Sequence, residues 1–210
     1  MKKSLTLMLI AVIAVSSVFA ASGYIGASSG YSFNYAKVSD DKTSQVSTSI
    51  PVNLDGATFF GKGNFNIGLS YGGKMASVPM TYKLGNTSVD ADPADYKWTL
   101  APYAGLAFQY RFSKGFALAG SVNATYNWES VTKTIAGQDL KGSLHTLGAM
   151  GNLYLNMNLG SFDIRLGGLM EGPIGTWATG KAFGISANSD MIDSTGSFNV
   201  VPFAGIGFAY

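Results

Sequence analysis

The sequence predicts an all-β chain, an antiparallel up-and-down barrel of eight strands that crosses a membrane. Three observations predict it. Segments of ten or more residues alternate apolar with small or polar side chains, as strands with two different faces do. Only 12% of the residues are charged, against about 25% in ordinary globular chains, whereas 13% are aromatic and 27 are glycine. After the first residues no run is apolar enough for a helical span, and a closed sheet pairs every backbone group in lipid.

The first residues predict a secretory signal peptide over 1–20. Lys2 and Lys3 precede a short apolar run from Leu5 to Val15, and small residues follow it. The predicted barrel domain is therefore 21–210. An uncleaved membrane anchor is the alternative, but such an anchor needs about 20 apolar residues. The formal net charge of +2 includes both lysines, so removal of the peptide leaves a chain close to neutral.

The composition also excludes several kinds of site. The chain has no cysteine, which excludes disulfides, thiol catalysis, cysteine-based metal sites and a lipid anchor at the signal-peptide cut. A chain that is nearly neutral and has no basic face predicts no nucleic-acid partner. The acidic residues of the polar segments lack the spacing of a calcium loop. We therefore expect neither a cofactor nor a metal site.

The alternation of side chains gives the strands in order. It is clearest from Phe116 to Glu129, where apolar residues at even positions alternate with small or polar ones at odd positions. The second strand is the weakest, because its pattern breaks at Asp55. The segment 76–83 either extends strand three or forms a hairpin in the following loop. The expected strands are 23–36, 50–60, 64–73, 98–112, 116–129, 144–159, 162–171 and 197–210.

Short and long connections alternate between these strands. In bacterial barrels short turns face the periplasm and long loops face outside, and an even strand number puts both termini on the periplasmic side. Aromatic residues near strand ends, such as Tyr24, Tyr110 and Trp128, are expected to form interfacial girdles. Tight turns are expected near 61–63, 113–115 and 160–161, and loops at 37–49, 84–95, 130–143 and 172–196.

The last strand, SFNVVPFAGIGFAY, carries the apolar residues Phe208 and Tyr210 on one face and ends in an aromatic residue. This closing strand, together with the other alternating segments, resembles the small eight-stranded outer-membrane barrels: the OmpA-type membrane domain, OmpX-type proteins and opacity-type surface proteins. The resemblance implies a bacterial outer-membrane location, with outer-membrane lipids and lipopolysaccharide as neighbours. It also implies that Phe208 and Tyr210 form the C-terminal signal read by the barrel-assembly machinery.

Five charged residues fall on the inward face of the predicted strands. An arginine or lysine on a lipid face at mid-depth costs about 2–4 kcal/mol, so the lumen is the expected location for these charges. They form either an ion-pair plug that stiffens the barrel or a charged gate in a narrow pore. An interior of eight strands is just wide enough for side chains, which favours the plug. The five candidates are Arg111, Glu129, Asp163, Arg165 and Glu171.

The resemblance implies a non-enzymatic, structural and surface-exposed protein whose four outer loops mediate adhesion or other contacts with host or surface ligands. A narrow channel or a conduit for small apolar molecules, as proposed for OmpW-type barrels, is the alternative. A lipid A-modifying enzyme is disfavoured, because Ser143 precedes His145 by two residues whereas the deacylase motif has the serine two residues after the histidine. A soluble lipocalin-like barrel or β-sandwich would require the aromatic-rich face to point inward.

Overall fold

The computed structural model describes residues 22–37, 44–84, 87–90, 97–135, 138–182, 185–188 and 197–210. The signal peptide predicted over 1–20 lies outside the described residues and stays a prediction. Within the described ranges, no helix has the length and apolar character needed to cross a membrane.

One sheet contains all eleven strand segments. The strands are β1 (Ser22–Gly30), β2 (Ser32–Lys37), β3 (Ser44–Phe60), β4 (Phe65–Leu84), β5 (Thr87–Asp90), β6 (Lys97–Ser113), β7 (Phe116–Ile135), β8 (Gln138–Asn158), β9 (Phe162–Ala182), β10 (Ile185–Asn188) and β11 (Ser197–Ala209).

The sheet closes into a ring of eight antiparallel strands. β1 and β2 together form the first strand of the ring, and β3, β4, β6, β7, β8, β9 and β11 follow in sequence order. β11 closes the ring, because it pairs with β9 on one side, with Phe208 opposite Phe162, and with β1 on the other, with Phe208 opposite Ile25. The eight-stranded up-and-down barrel predicted from the sequence is confirmed.

The first strand of the ring is interrupted at Tyr31, opposite a proline. The backbone N–H of Tyr31 donates to the carbonyl of Pro202 over 3.2 Å. Pro202 has no N–H to return a second bond, so the ladder is broken at this rung. The pairing resumes in the same register, with Phe33 opposite Val200. The interruption is therefore local and leaves the closure of the barrel intact.

The three tight turns lie where the sequence predicts them. Gly61 and Gly160 have φ values of +119° and +86°, a region of backbone conformation that glycine enters without strain. The third turn is at 114–115, between β6 and β7. All three lie at one end of the barrel, together with Tyr210, whose backbone pairs with Gly23.

At the opposite end, the expected loops are largely strand. The ladder between β7 and β8 continues to the pair of Ile135 and Gln138, through the segment expected as a loop at 130–143. β9 runs to Ala182 and pairs with β10. The segment 76–83 both extends its strand and forms a hairpin, since β4 pairs with β5. Alternation fails to reveal these extensions, because their sequences have no continuously apolar face.

The barrel is apolar outside and polar inside. Leu106, Val122 and Ile206 on the outer face are 71%, 66% and 67% exposed, whereas Asn123 and Arg165 are buried inside. A soluble protein has the opposite arrangement. The aromatic-rich face therefore points outward, contrary to what a soluble lipocalin-like barrel requires.

Candidate functional site

The lumen contains a buried arginine at its centre. Arg165, on β9, is 0% exposed. Its Nη1 lies 2.9 Å from Asp55 Oδ1 on β3, and its Nε lies 3.4 Å from Asp163 Oδ1 on the same strand. Its Nη2 donates to the backbone carbonyl of Ile206 on β11 over 3.1 Å. One guanidinium therefore links strands on both sides of the seam where the barrel closes.

Gly26 on β1, which has no side chain, leaves room for this guanidinium. A Cβ added at Gly26 on β1 would lie 2.8 Å from Arg165 Nη2 and also close to the backbone of β11. Arg165 therefore reaches Asp55 by crossing Gly26 of β1, one of the two strands that separate them. The guanidinium carbon lies 4.0 Å from the centroid of the Tyr24 ring, in a cation–π contact that adds to the ion pairs.

Aromatic rings fill the lumen beside Arg165. The hydroxyls of Tyr24 and Tyr154 lie 3.0 Å apart, and their rings meet edge to face at 6.2 Å. Phe203 packs against Tyr154 with ring centroids 6.1 Å apart. Tyr24 and Tyr154 are both buried. We call Arg165, Asp55, Asp163, Tyr24 and Tyr154 the lumen plug. The expectation that Tyr24 belongs to an interfacial girdle is wrong, because it lies on the inward face of β1.

Among the described residues, cavities lie on both sides of the plug. The larger, of about 450 Å³, lies at the end with the tight turns, and Asp163 and Tyr24 are part of its wall. The smaller, of about 20 Å³, lies towards the other end. Lys74 and Glu171 line the smaller cavity and form an ion pair of 3.6 Å, with both side chains partly exposed. Closely packed side chains therefore separate the two ends of the lumen.

The five predicted lumen residues have different partners from one another. Asp163 and Arg165 lie together in the plug, and Glu171 pairs with Lys74. Arg111 donates to Gln109 Oε1 over 2.9 Å and also to the hydroxyl of Ser22. Glu129 accepts a hydrogen bond of 3.2 Å from Asn127. Within the described residues, the salt bridges involve neither Arg111 nor Glu129.

Sequence reasoning misses the two partners of these ion pairs, Asp55 and Lys74. Asp55 is interpreted as a break in strand two, yet it shares the inward parity of Asn53 and Ala57. Lys74 lies one residue beyond the predicted end of strand three and shares the inward parity of Ser70. Strict continuation of the two-residue period would have placed both charges in the lumen.

His145 lies on the outer face, in an aromatic cluster. Its ring stacks on Trp177 at 5.5 Å and 3°, and its Nδ1 lies 2.7 Å from the Tyr126 hydroxyl. Its Nε2 lies 3.4 Å from the Thr179 hydroxyl. Neutral hydroxyls thus occupy both ring nitrogens, in place of the serine and acid of a catalytic triad. No cluster of His, Asp and Glu side chains suited to a metal ion occurs among the described residues.

The C-terminal aromatic residues lie on the outer face at the seam. The Tyr210 hydroxyl lies 2.7 Å from Thr58 Oγ1 and 3.2 Å from the Tyr71 hydroxyl, so the side chain spans β1 and reaches β3 and β4. Phe208 packs on Phe162 with ring centroids 5.1 Å apart. Both residues of the predicted assembly signal therefore also hold the closed barrel together.

No protein-family model matches the chain, and no curated protein matches it. Among solved structures, the chain is similar to the outer membrane protease OmpT from Escherichia coli, with 10% identity, 90% of this chain and 96% of that chain covered, and a TM-score of 0.42. It is also similar to a major outer membrane protein from Thermus thermophilus, with 12% identity, coverage of 90% and 100%, and a TM-score of 0.43.

A third similar structure is that of Ail, the attachment invasion locus protein of Yersinia pestis, with 15% identity, coverage of 90% and 99%, and a TM-score of 0.40. The assignment of the fold rests on the geometry of the chain itself. A closed ring of antiparallel strands, with an apolar outer face and a polar, filled interior, is the architecture of a transmembrane β-barrel.

Proposed function

We propose that the protein is a non-conducting barrel of the bacterial outer membrane that presents rigid β-hairpins outside the cell for adhesion or other surface interactions. Two observations together carry the proposal. Side chains fill the lumen, and the strands continue beyond the apolar outer face that Leu106, Val122 and Ile206 mark. In this role the protein catalyses no reaction. Its partners are outer-membrane lipids and lipopolysaccharide, the barrel-assembly machinery, and a host or surface ligand held by the hairpins.

The plug supports the non-conducting part of this proposal. A hydrated ion that crossed the lumen would have to separate Arg165 from Asp55 and displace the paired rings of Tyr24 and Tyr154. Separating a buried ion pair leaves a charge without compensation and costs several kcal/mol. Within the part of the chain that the structure describes, the plug lies between the cavities at the two ends and therefore opposes the passage of hydrated ions along the lumen.

The extended hairpins support the surface part. Beyond the pair of Trp128 and His145, the ladder between β7 and β8 continues to Ile135 and Gln138. The hairpin of β4 and β5 carries Tyr82 opposite Val89, with 44% and 58% of these residues exposed. Paired strands hold such side chains in fixed positions, which lowers the entropy lost when a ligand binds.

Single-channel recording tests the closed lumen. We expect the wild-type barrel to produce no discrete conductance steps in planar bilayers, because the plug fills the lumen. We expect steps to appear in the double variant Tyr24→Ala with Tyr154→Ala, which removes both rings. Lys74→Ala, in the smaller cavity away from the tight turns, serves as the matched control and should produce no conductance steps. Regular steps from the wild type would contradict the proposal and favour the narrow-channel alternative.

Shortening one hairpin tests the surface role. Ser130 and Ser143 are paired, so Val131 to Gly142 can be replaced by Asn-Gly, which closes a two-residue hairpin. We expect bacteria that carry this variant to adhere less to a cultured epithelial layer, while the barrel keeps its boiling-dependent gel shift. The matched control replaces Thr87 and Ser88 with alanine in the hairpin of β4 and β5. Unchanged adhesion in a variant in which all the outer hairpins are shortened would overturn the surface role.

A further inference from the structure

The outer part of β7 has a paired neighbour on one side only. The ladder between β6 and β7 stops at the pair of Tyr103 and Thr125. β7 nevertheless continues to Ile135 and remains paired with β8 along its whole length. Over 97–102, β6 pairs with β4 alone among the described residues. The segment 126–135 of β7 therefore has an unpaired backbone edge, which we call the open edge.

A proline accounts for the end of the ladder between β6 and β7. The backbone N–H of Arg111 donates to the carbonyl of Asn64, on the side of β4, over 2.7 Å. Successive N–H groups of a strand point to opposite sides, so the N–H groups at even positions of β6 point towards β7. Pro102 occupies the first even position beyond the last rung and has no N–H to donate. The next rung, opposite Tyr126, therefore lacks a donor from β6.

The polar groups at the open edge are the backbone N–H and C=O of alternate residues. The N–H of Asn158 donates to the carbonyl of Gly115 over 2.9 Å, so odd positions at this end of the hairpin face β8. The register between β7 and β8 continues without a shift. Tyr126, Trp128 and Ser130 hence direct their backbone groups away from β8. Another extended backbone presents acceptors and donors with the same two-residue repeat.

The open edge lacks the features that protect strand edges from pairing. Natural proteins keep edge strands short or place proline in them. β5 and β10, which have one unpaired edge each among the described residues, contain only four residues each. The open edge is longer, and the sequence contains no proline from 126 to 135. A long edge without proline is suited to receive a strand.

The side chains beside the open edge indicate the chemistry of a partner strand. Tyr126 and Trp128 are exposed on the outer face. Glu129 has the opposite parity, accepts a hydrogen bond from Asn127, and takes part in no salt bridge of the described residues. A strand that pairs here places apolar side chains beside the two rings and a basic side chain opposite Glu129.

We propose that the open edge binds an extended peptide segment of a partner protein, in which apolar and basic residues alternate. The segment pairs with β7 through backbone hydrogen bonds, in the antiparallel direction. This inference rests on the proposed surface role and specifies the chemistry of the partner. A second copy of the chain fits less well. Two copies in one membrane are related by an axis along the membrane normal, so their β7 strands would run parallel, and parallel pairing is slightly less stable.

Fluorescence anisotropy with the full barrel in phosphatidylcholine nanodiscs tests the site. The probe is a labelled peptide of sequence Lys-Val-Lys-Val-Lys-Val, and two further peptides carry N-methyl groups on all valines or on all lysines. Valines beside the aromatic rings direct their N–H groups towards β7, whereas lysines direct theirs away. We expect methylation of the valines to weaken binding at least about tenfold, because several hydrogen bonds are lost, and methylation of the lysines to leave binding unchanged.

Two positions of the barrel locate the peptide. Ser130→Pro removes an N–H of the open edge that β8 does not use, and should weaken binding at least about fivefold. Ser130→Ala, the matched control, keeps this N–H and should bind like the wild type. Glu129→Lys should weaken binding of the lysine peptide and strengthen binding of the corresponding Glu-Val peptide. The gel shift on boiling verifies that each variant is folded.

Three results would overturn the proposal. The first is no binding of the lysine peptide at millimolar concentration. The second is an equal effect of methylation on valines and on lysines, which would indicate attraction through charge alone. The third is a dimer of the wild-type barrel that Ser130→Pro converts to a monomer, which would show that a second copy occupies the open edge. Peptide binding is measured without cells, so these results refute the inference independently of the adhesion test of the surface role.

Discussion

Replacing Arg165 with methionine is expected to lower the free energy of unfolding by about 3–5 kcal/mol, because it removes one partner of a buried ion pair. Arg165 is 0% exposed and is the cation that both Asp55 and Asp163 contact. Methionine keeps much of the length of the side chain, so the loss reports charge more than volume. Urea titration of the barrel in lipid vesicles, followed by tryptophan fluorescence and by the gel shift on boiling, measures the change.

The matched control is Lys74→Met in the second ion pair of the lumen. Lys74 and Glu171 are 3.6 Å apart and partly exposed, so solvent screens the pair and its loss should cost less than about 1 kcal/mol. Adding Asp55→Asn and Asp163→Asn to Arg165→Met should restore part of the stability, because the carboxylates without compensation are then gone. An Arg165→Met variant no less stable than Lys74→Met would contradict this account of the plug.

The lipid-facing part of the barrel could be predicted from the sequence because each strand there has lipid on one face and the packed lumen on the other. These two environments impose a period of two residues on apolar and polar side chains. Val122 and Asn123 on β7 show it directly, the first exposed on the outer face and the second buried inside. The same period is sufficient to assign Asp163 and Arg165 to the lumen, where both are found.

The partners of these charges could not be predicted in the same way. Asp55 and Arg165 belong to β3 and β9, which are separated in the ring by β1 and β11. Their contact exists only because the last strand closes on the first and because Gly26 leaves space for the guanidinium. A period shows which way a side chain points, but it does not show which distant strand it meets across the lumen.

The outer hairpins could not be predicted for a different reason. Beyond Trp128, the sequence shows no continuously apolar face, although the backbone ladder of β7 and β8 continues to Ile135 and Gln138. The polar composition of 130–143 therefore predicts a loop. The aromatic cluster of His145, Tyr126 and Trp177 could not be predicted either, because Trp177 belongs to a segment of β9 that is expected to be a loop.

Leu106→Arg is expected to destabilise the barrel in lipid by about 2–4 kcal/mol, the cost of an arginine on the lipid face at mid-depth. Leu106 lies in the middle of β6, is 71% exposed on the outer face, and is paired with Leu69 on β4 and Val122 on β7. An arginine at this position loses its hydration, and its neighbours are apolar. Urea titration in lipid vesicles gives the change in unfolding free energy relative to wild type.

Phe112→Arg on the same strand is the matched control for depth. Phe112 is also exposed on the outer face, at 58%, but lies beside the tight turn, where an arginine reaches headgroups and should cost only about 0–1 kcal/mol. The difference between these two variants separates a lipid face from a water face, because in water an arginine at either position would be nearly neutral. Equal, small effects of both substitutions would contradict a lipid-facing outer surface. They would indicate instead that the apolar outer face is an interface with another protein.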